Sequence, residues 1–355
     1  MRTEDGFDTE LGEGRDLTVP SPSGPSALAL EDGTLRGARR IIDEGTPPNT
    51  RHAYRTDMKY IMAWCKARGL EESLPLSVET AVTFLVDHVE ELPEEVERRL
   101  VRSGVKRDFG LPAISTVRRR MASMSTAHKV AGLPNPCTDT RVTDLLSRAV
   151  KAAVRKGWAP RKKVAAPRDT LDLMLATCDG NSLHDIRDRA LLLFAWSSGG
   201  RRRSEAASAV IERLEVHGND FVYRLGVTKT HQDGDSGTVP VAGRAADAMR
   251  AWLAVVGSES GPIFRGIAPD GTISESAIHP ETVAKVVCRR AKRAGLDPAR
   301  FGGHSLRSGY MTEAGLRGIN IQEAMLLSGH RTYQVAASYY QAGAGLNNKG
   351  ARLAG

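Results

Sequence analysis

At 355 residues the chain is long enough for two domains, each able to bury a core. Lys and Arg number 50 against 42 Asp and Glu, a formal charge of +8 that suits a polyanionic partner, although a solvated surface would meet it equally well. The longest purely apolar run, Ala190 to Trp196, is far too short to span a bilayer. The four cysteines, Cys65, Cys137, Cys178 and Cys288, lie far apart with no C-x-x-C pair and no zinc spacing, so the expectation is reduced thiols in a cytoplasmic protein with no metal.

The first 20 residues carry six acidic side chains against Arg2 and Arg15, a net of −4 that leaves about +12 for the rest. No apolar h-region marks a secretory signal there, and residues 1–45 read as an acidic, Gly/Ser/Pro-rich tail. Residues 46–155 read as helical. Tyr54, Met58, Ile61 and Cys65 form one face of a helix closed by Gly69, and Ser77 caps a second with Val78, Val82 and Leu85 inside. A third helix starts at Ser115 or Thr116 and places Val117, Met121, Met124 and His128 inward. Its outer side shows Arg118, Arg119 and Arg120. A fourth, about Asp139 to Lys156, turns Val142, Leu145, Leu146 and Val150 inward and Arg148, Lys151 and Arg155 outward. Residues 156–169 are a basic, Pro-punctuated linker with Arg161, Lys162 and Lys163. With the two helices before it, this linker forms a candidate DNA-binding surface.

Beyond the linker, residues 170–342 read as mostly α with a small antiparallel β-sheet, an α+β domain, before a tail at 343–355. A buried helix spans Arg187–Ser197. Strands are expected at Leu214–His217, Phe221–Val227 and Thr238–Val241, and helices at Arg244–Val256, His279–Ala294, Ser305–Ala314, Ile319–Leu327 and Tyr333–Gln341.

The pattern H-x-x-R occurs at His52, His184 and His304, so by itself it carries no information. Only the third copy is followed by Gly329-His330, 23 positions after Arg307, and by Tyr339 nine further on. Upstream, Ser198-Gly199-Gly200-Arg201-Arg202-Arg203-Ser204-Glu205 joins a Gly-rich turn to a helix start, a suitable place for a phosphate. The planar guanidinium donates two parallel hydrogen bonds to phosphate oxygens and stays protonated.

Together, Arg202-x-x-Glu205 after Gly200, His304-x-x-Arg307, Gly329-His330 and Tyr339 resemble the signature boxes of the tyrosine recombinase (phage-integrase-like) family. The resemblance covers about residues 170–342 and, more loosely, the helical region before it. It departs at Arg201, where the family usually shows an apolar residue. It implies that Arg202 and Arg307 clamp the scissile phosphate, that Glu205 braces them, and that His304 acts as acid or base near the nucleophile. His330 would hydrogen-bond the same phosphate. Tyr339 would attack phosphorus to give a 3′-phosphotyrosyl enzyme and a free 5′-hydroxyl. A phenol in water titrates near pH ~10, so attack at neutral pH needs a base or a strong positive field. Thr228-Lys229-Thr230 matches the family's mobile hairpin lysine, which makes Lys229 the candidate general acid for the leaving 5′-oxygen.

The implied function is site-specific recombination for a mobile element, by integration, excision or resolution, without metal, ATP or other cofactor. The expected partner is duplex DNA with an inverted-repeat core site, bound by a dimer and synapsed as a tetramer, in a bacterial nucleoid or plasmid setting and not at a membrane. A type IB-like topoisomerase would use the same tyrosine chemistry without exchange between sites. A non-catalytic DNA-binding descendant would lack one of the chemical residues, and none is missing here.

Overall fold

The computed structural model describes residues 37, 40–41, 44–159, 163–226 and 237–345. Lys229, Arg161, Lys162, most of the two tails and Val227, the last residue of the expected strand Phe221–Val227, lie outside them, and the strand itself ends at Arg224. The chain divides into two compact units, Met1–Pro160 and Arg161–Gly355.

The first unit is helical: α1 Pro48–Arg68, α2 Val78–Val89, α3 Glu94–Arg102, α4 Ile114–Ala131 and α5 Thr140–Arg155. Local chemistry sets the ends. Gly69 takes the left-handed conformation that stops α1, the Ser77 hydroxyl accepts the Thr80 N–H at 3.1 Å, and Asp139 accepts the Arg141 N–H at 2.9 Å. Trp64, Phe84, Leu85, Leu100, Val117 and Met124 fill the core, with Val82, Leu145, Leu146 and Val150 packed half-buried against it. The interior is also polar. Trp64 donates to Asp87 at 2.9 Å, and the His88 ring lies between the Tyr60 hydroxyl (2.9 Å) and the Phe84 carbonyl (2.7 Å).

Helix α3 was not expected from the sequence. It buries only Val96 and Leu100, too few apolar residues to show a period, and is supported by Glu94, Glu95 and Glu97 in its first turn and Arg99 and Arg102 in its last.

The second unit runs α6 Arg168–Ala176, α7 Leu183–Ser197, α8 Arg203–Ala207, β1 Leu214–His217, β2 Asp220–Arg224, β3 Thr238–Val241, α9 Arg244–Val256, β4 Arg265–Ile267, β5 Ile273–Ala277, α10 Pro280–Arg293, α11 Gly303–Leu316, α12 Ile321–Ser328 and α13 Tyr333–Ala344. Strands β1, β2 and β3 form an antiparallel sheet pairing Val216 with Phe221 and Tyr223 with Val239. A second antiparallel ribbon, β4–β5, was missed because its residues alternate weakly and none of them is fully buried.

Helix α7 is the axis of this unit, buried along Ala190–Ala195 against Met249 and Trp252 of α9 and near Leu306 of α11. It is pinned to α10 by ions. Asp188, 0 % exposed, meets Arg187 at 2.9 Å, Arg289 at 2.6 Å and Arg290 at 2.7 Å. The second H-x-x-R copy is therefore structural, since its Arg187 belongs to this cluster. A smaller core of Met311, Ala314, Ala324 and Ala336 joins α11, α12 and α13.

Candidate active site

The double-glycine turn after α7 makes the site. Gly199 and Gly200 have φ of 93° and 72°. A Cβ on Gly199 would lie 2.2 Å from the Leu327 carbonyl oxygen, and one on Gly200 would lie 2.4 Å from the Arg307 Cα. Only glycine allows the chain to press against α11 and the end of α12 at once. The contact carries the start of α8 to the first turns of α11, where Arg307 Nη1 donates to the Gly200 carbonyl at 3.0 Å.

Arg202 precedes α8. Its N–H and its guanidinium both bond Glu205, at 3.1 and 2.5 Å, so the carboxylate three residues on fixes the arginine's direction. His304 and Arg307 are one helical turn apart on α11, which places both at the same cleft. That cleft, about 340 Å³, is lined by Lys163, Arg202, Arg203, Ala284, Gly302, Gly303, His304 and Arg307. Lys163, first read as part of a linker surface, sits at its rim with its ammonium donating to the Ala299 carbonyl at 2.6 Å. Arg203, given no role from the sequence, lines it too. An apolar cavity of about 360 Å³ beside Trp196, Tyr310 and Ala314 holds none of the arginines or histidines of the recombinase boxes.

The electrostatics favour an anion. Burial and then the neighbouring Arg202 charge lower the Arg307 pKa to about 10, still protonated at neutral pH. Its Nη2 is buried without a hydrogen-bond partner among the described residues. Arg201 is also buried and lowered by burial, with Glu205 opposing. Three guanidinium groups around one carboxylate leave a net positive, poorly solvated site.

His330 follows Gly329, the left-handed cap of α12. Its Nδ1 lies 2.7 Å from the Ser328 hydroxyl, a partner the sequence did not signal. Burial first, then Arg307 and Arg202, push its pKa down to about 4, so the ring is neutral at physiological pH. The Tyr339 hydroxyl lies 2.9 Å from His304 Nε2, and its ring centroid 6.5 Å from that of His330. Tyr340 points elsewhere, its O–H donating to the Ile319 carbonyl at 2.5 Å. The structure thus brings together Arg202, Glu205, His304, Arg307, His330 and Tyr339; Lys229 lies outside the described residues.

Of the basic residues in the first unit, Arg118, Arg148, Lys151 and Arg155 are exposed. Arg119 is exposed but engaged, donating to the buried Asp57 at 2.5 Å. Arg120 is corrected to an interior residue. Its guanidinium covers the Tyr60 ring 3.2 Å from the centroid, and its side chain is 13 % exposed. It lies three positions after the buried Val117, at the edge of the core face, which explains the turn inward.

The profile of the phage integrase family matches residues 166–344. The integrase/recombinase xerD homolog of Selenomonas ruminantium is 28% identical over 86% of this chain and 85% of its own length. The recombinase cre of Escherichia phage P1 is 21% identical over 64% of this chain and 70% of its own. Among solved structures, the integrase of transposon Tn1549 in complex with transposon right end DNA superposes with a TM-score of 0.56 at 15% identity, covering 90% of this chain and 98% of that one. A λ integrase dimer bound to a core site gives 0.51 at 16%, covering 86% and 93%. At these identities the structural likeness establishes the fold. The family profile, which spans half the chain and takes in the double-glycine turn, α11 and the tyrosine helix, establishes more: the chain belongs to the phage integrase family of tyrosine recombinases, enzymes of site-specific DNA recombination.

Proposed function

We propose that this recombinase cuts and rejoins duplex DNA through a 3′-phosphotyrosyl intermediate with Tyr339 as nucleophile. The observation that carries the reading is the Tyr339 hydroxyl 2.9 Å from His304 Nε2, on the side of α13 facing the arginines, while Tyr340 is tied to Ile319. The Tyr339 oxygen attacks phosphorus and its proton passes to His304, whose unprotonated Nε2 accepts the phenol O–H. The bond to the 5′-oxygen breaks, and that oxygen takes a proton from Lys229. Arg202 and Arg307, the latter with a buried unpartnered Nη2, receive the charge that grows on the non-bridging oxygens. In the tautomer whose Nδ1 accepts the Ser328 O–H, 2.7 Å away, neutral His330 keeps Nε2–H for the same phosphate. Two fixed guanidinium groups take the place of metal ions, and the covalent link retains the phosphodiester energy, so religation requires no ATP.

The substrate is a site with inverted repeats, carried by a mobile element, bound by a dimer and exchanged in a tetramer. Exposed Arg118, Arg148, Lys151 and Arg155 take the flanking phosphates. A nicked suicide substrate on a denaturing gel tests the nucleophile. Tyr339→Phe removes one oxygen and is expected to abolish the protein–DNA band while binding persists, and Tyr340→Phe retains the band. The reverse result assigns the nucleophile to Tyr340.

A further inference from the structure

Arg201 stands where the family usually carries an apolar residue, yet its side chain is only 4 % exposed. It does not fill the position as a hydrophobe would. Its Nη2 donates to the Leu327 carbonyl, and its Nη1 lies 3.8 Å from Glu205, the carboxylate that orients Arg202. Its Nε is buried without a partner among the described residues. Leu327 lies in the last turn of α12, where backbone carbonyls have no partner within the helix. Two residues later the chain passes through Gly329 and presents His330. The same carbonyl is the one against which Gly199 is pressed. Arg201 therefore bridges two pieces of the site that come from distant parts of the chain: the turn that delivers Arg202 and the turn that delivers His330.

We propose that Arg201 is a positioning residue for strand cleavage, holding the last turn of α12 against the double-glycine turn so that His330 and Arg202 meet one phosphate. The inference rests on the phosphotyrosyl reading above. Arg201 reaches the reaction through Leu327 and Glu205, and its charge adds to the field on His330. The groups facing that imidazole are Arg307 and His304 from α11, Arg202 and Arg201 from the turn before α8, Ser328 from α12 and Tyr339 from α13. Those cations, with burial, keep the ring neutral down to about pH 4. Taking one away lets the imidazole protonate at higher pH. A hydrogen on Nδ1 then removes the acceptor that holds the ring to the Ser328 hydroxyl, so the acid limb of cleavage follows that protonation.

Arg201→Leu restores the residue type usual in the family. Adduct formation is followed on the suicide substrate at saturating enzyme between pH 4.5 and 8, with DNA affinity and thermal unfolding measured alongside. The expected result is a rate roughly ten- to hundredfold lower, the size of losing a charged hydrogen bond. Affinity stays within about twofold, because phosphate charge contacts outside the cleft carry most of it. The acid limb moves to higher pH. A rate and limb equal to wild type overturn the proposal, as does a rate loss matched by lost affinity or folded fraction with the limb unmoved. If the leucine variant does not fold, Arg201→Gln decides in the same assay, since it keeps a donor for the carbonyl and drops the charge. An upward shift of the acid limb supports the proposal, and an unmoved limb overturns it. Absence of any adduct from the wild-type protein removes the phosphotyrosyl reading itself, and this inference with it. Wild-type adduct with an unaffected Arg201→Leu removes this inference alone.

Discussion

Two histidines are held neutral by their surroundings, and both make stability depend on pH. His88 and His330 are each lowered to about 4 from an ordinary 6.5, chiefly by burial. Below pH 6.5 the unfolded chain takes up protons that the folded chain refuses, so stability is full above that pH and declines as pH falls to about 4. Thermal melting across this window will show the decline, and His330→Asn will reduce its slope; a slope unchanged in the variant rejects the assignment. The intervals between His304, Arg307, His330 and Tyr339 were legible because each residue occupies a fixed place on a helix or just after a glycine cap. Ser328 and the inward turn of Arg120 were not, since both depend on what a neighbouring element presents.

Between elements, glycine and buried charge do the joining. Gly200→Ala places a Cβ 2.4 Å from the Arg307 Cα at a φ of 72°. Gly218→Ala, at φ 61° with nothing within 4 Å, meets only the left-handed penalty of roughly 1–2 kcal/mol. Chemical denaturation is expected to rank Gly200→Ala as clearly the more damaging, and its adduct formation to be lost even where folding survives. Asp188→Asn leaves Arg187 buried without its counter-charge and Arg290 with Asp185 alone, at 2.7 Å. The expected loss is about 3–5 kcal/mol by urea unfolding, the usual effect of breaking a buried pair from one side. Strands β1 and β3 were legible as Leu214–His217 and Thr238–Val241, whereas α3 and the β4–β5 ribbon bury too little to leave a periodic trace.

The proposed chemistry has the whole chain bind through charge and react through Arg202 and Arg307. DNA affinity is expected to fall steeply with salt, and Arg148→Ala to lower the slope of log affinity against log salt by about one, for one phosphate contact. An unchanged slope removes Arg148 from the interface. Cleavage of the suicide substrate is expected to run at full rate in excess EDTA. An absolute magnesium requirement for that step would contradict charge neutralisation by Arg202 and Arg307.

Composition, intervals and capping residues were enough to read a mostly helical chain, most helix positions and the residues that meet at one site. They carry that information because helical periodicity and left-handed glycines act over a few residues, and such signals survive in a linear string. Which charges serve the site and which serve the core could be read only from packing. Arg119 and Arg120 adjoin Arg118 in the chain but turn to Asp57 and Tyr60, and Arg187 shares its motif with Arg307 but belongs to Asp188. Tyr339 was already singled out by its interval from His330, and packing adds that its neighbour Tyr340 is tied to the Ile319 carbonyl. A guanidinium or a phenol takes its role from the partner that desolvates it, and that partner comes from a distant stretch of chain.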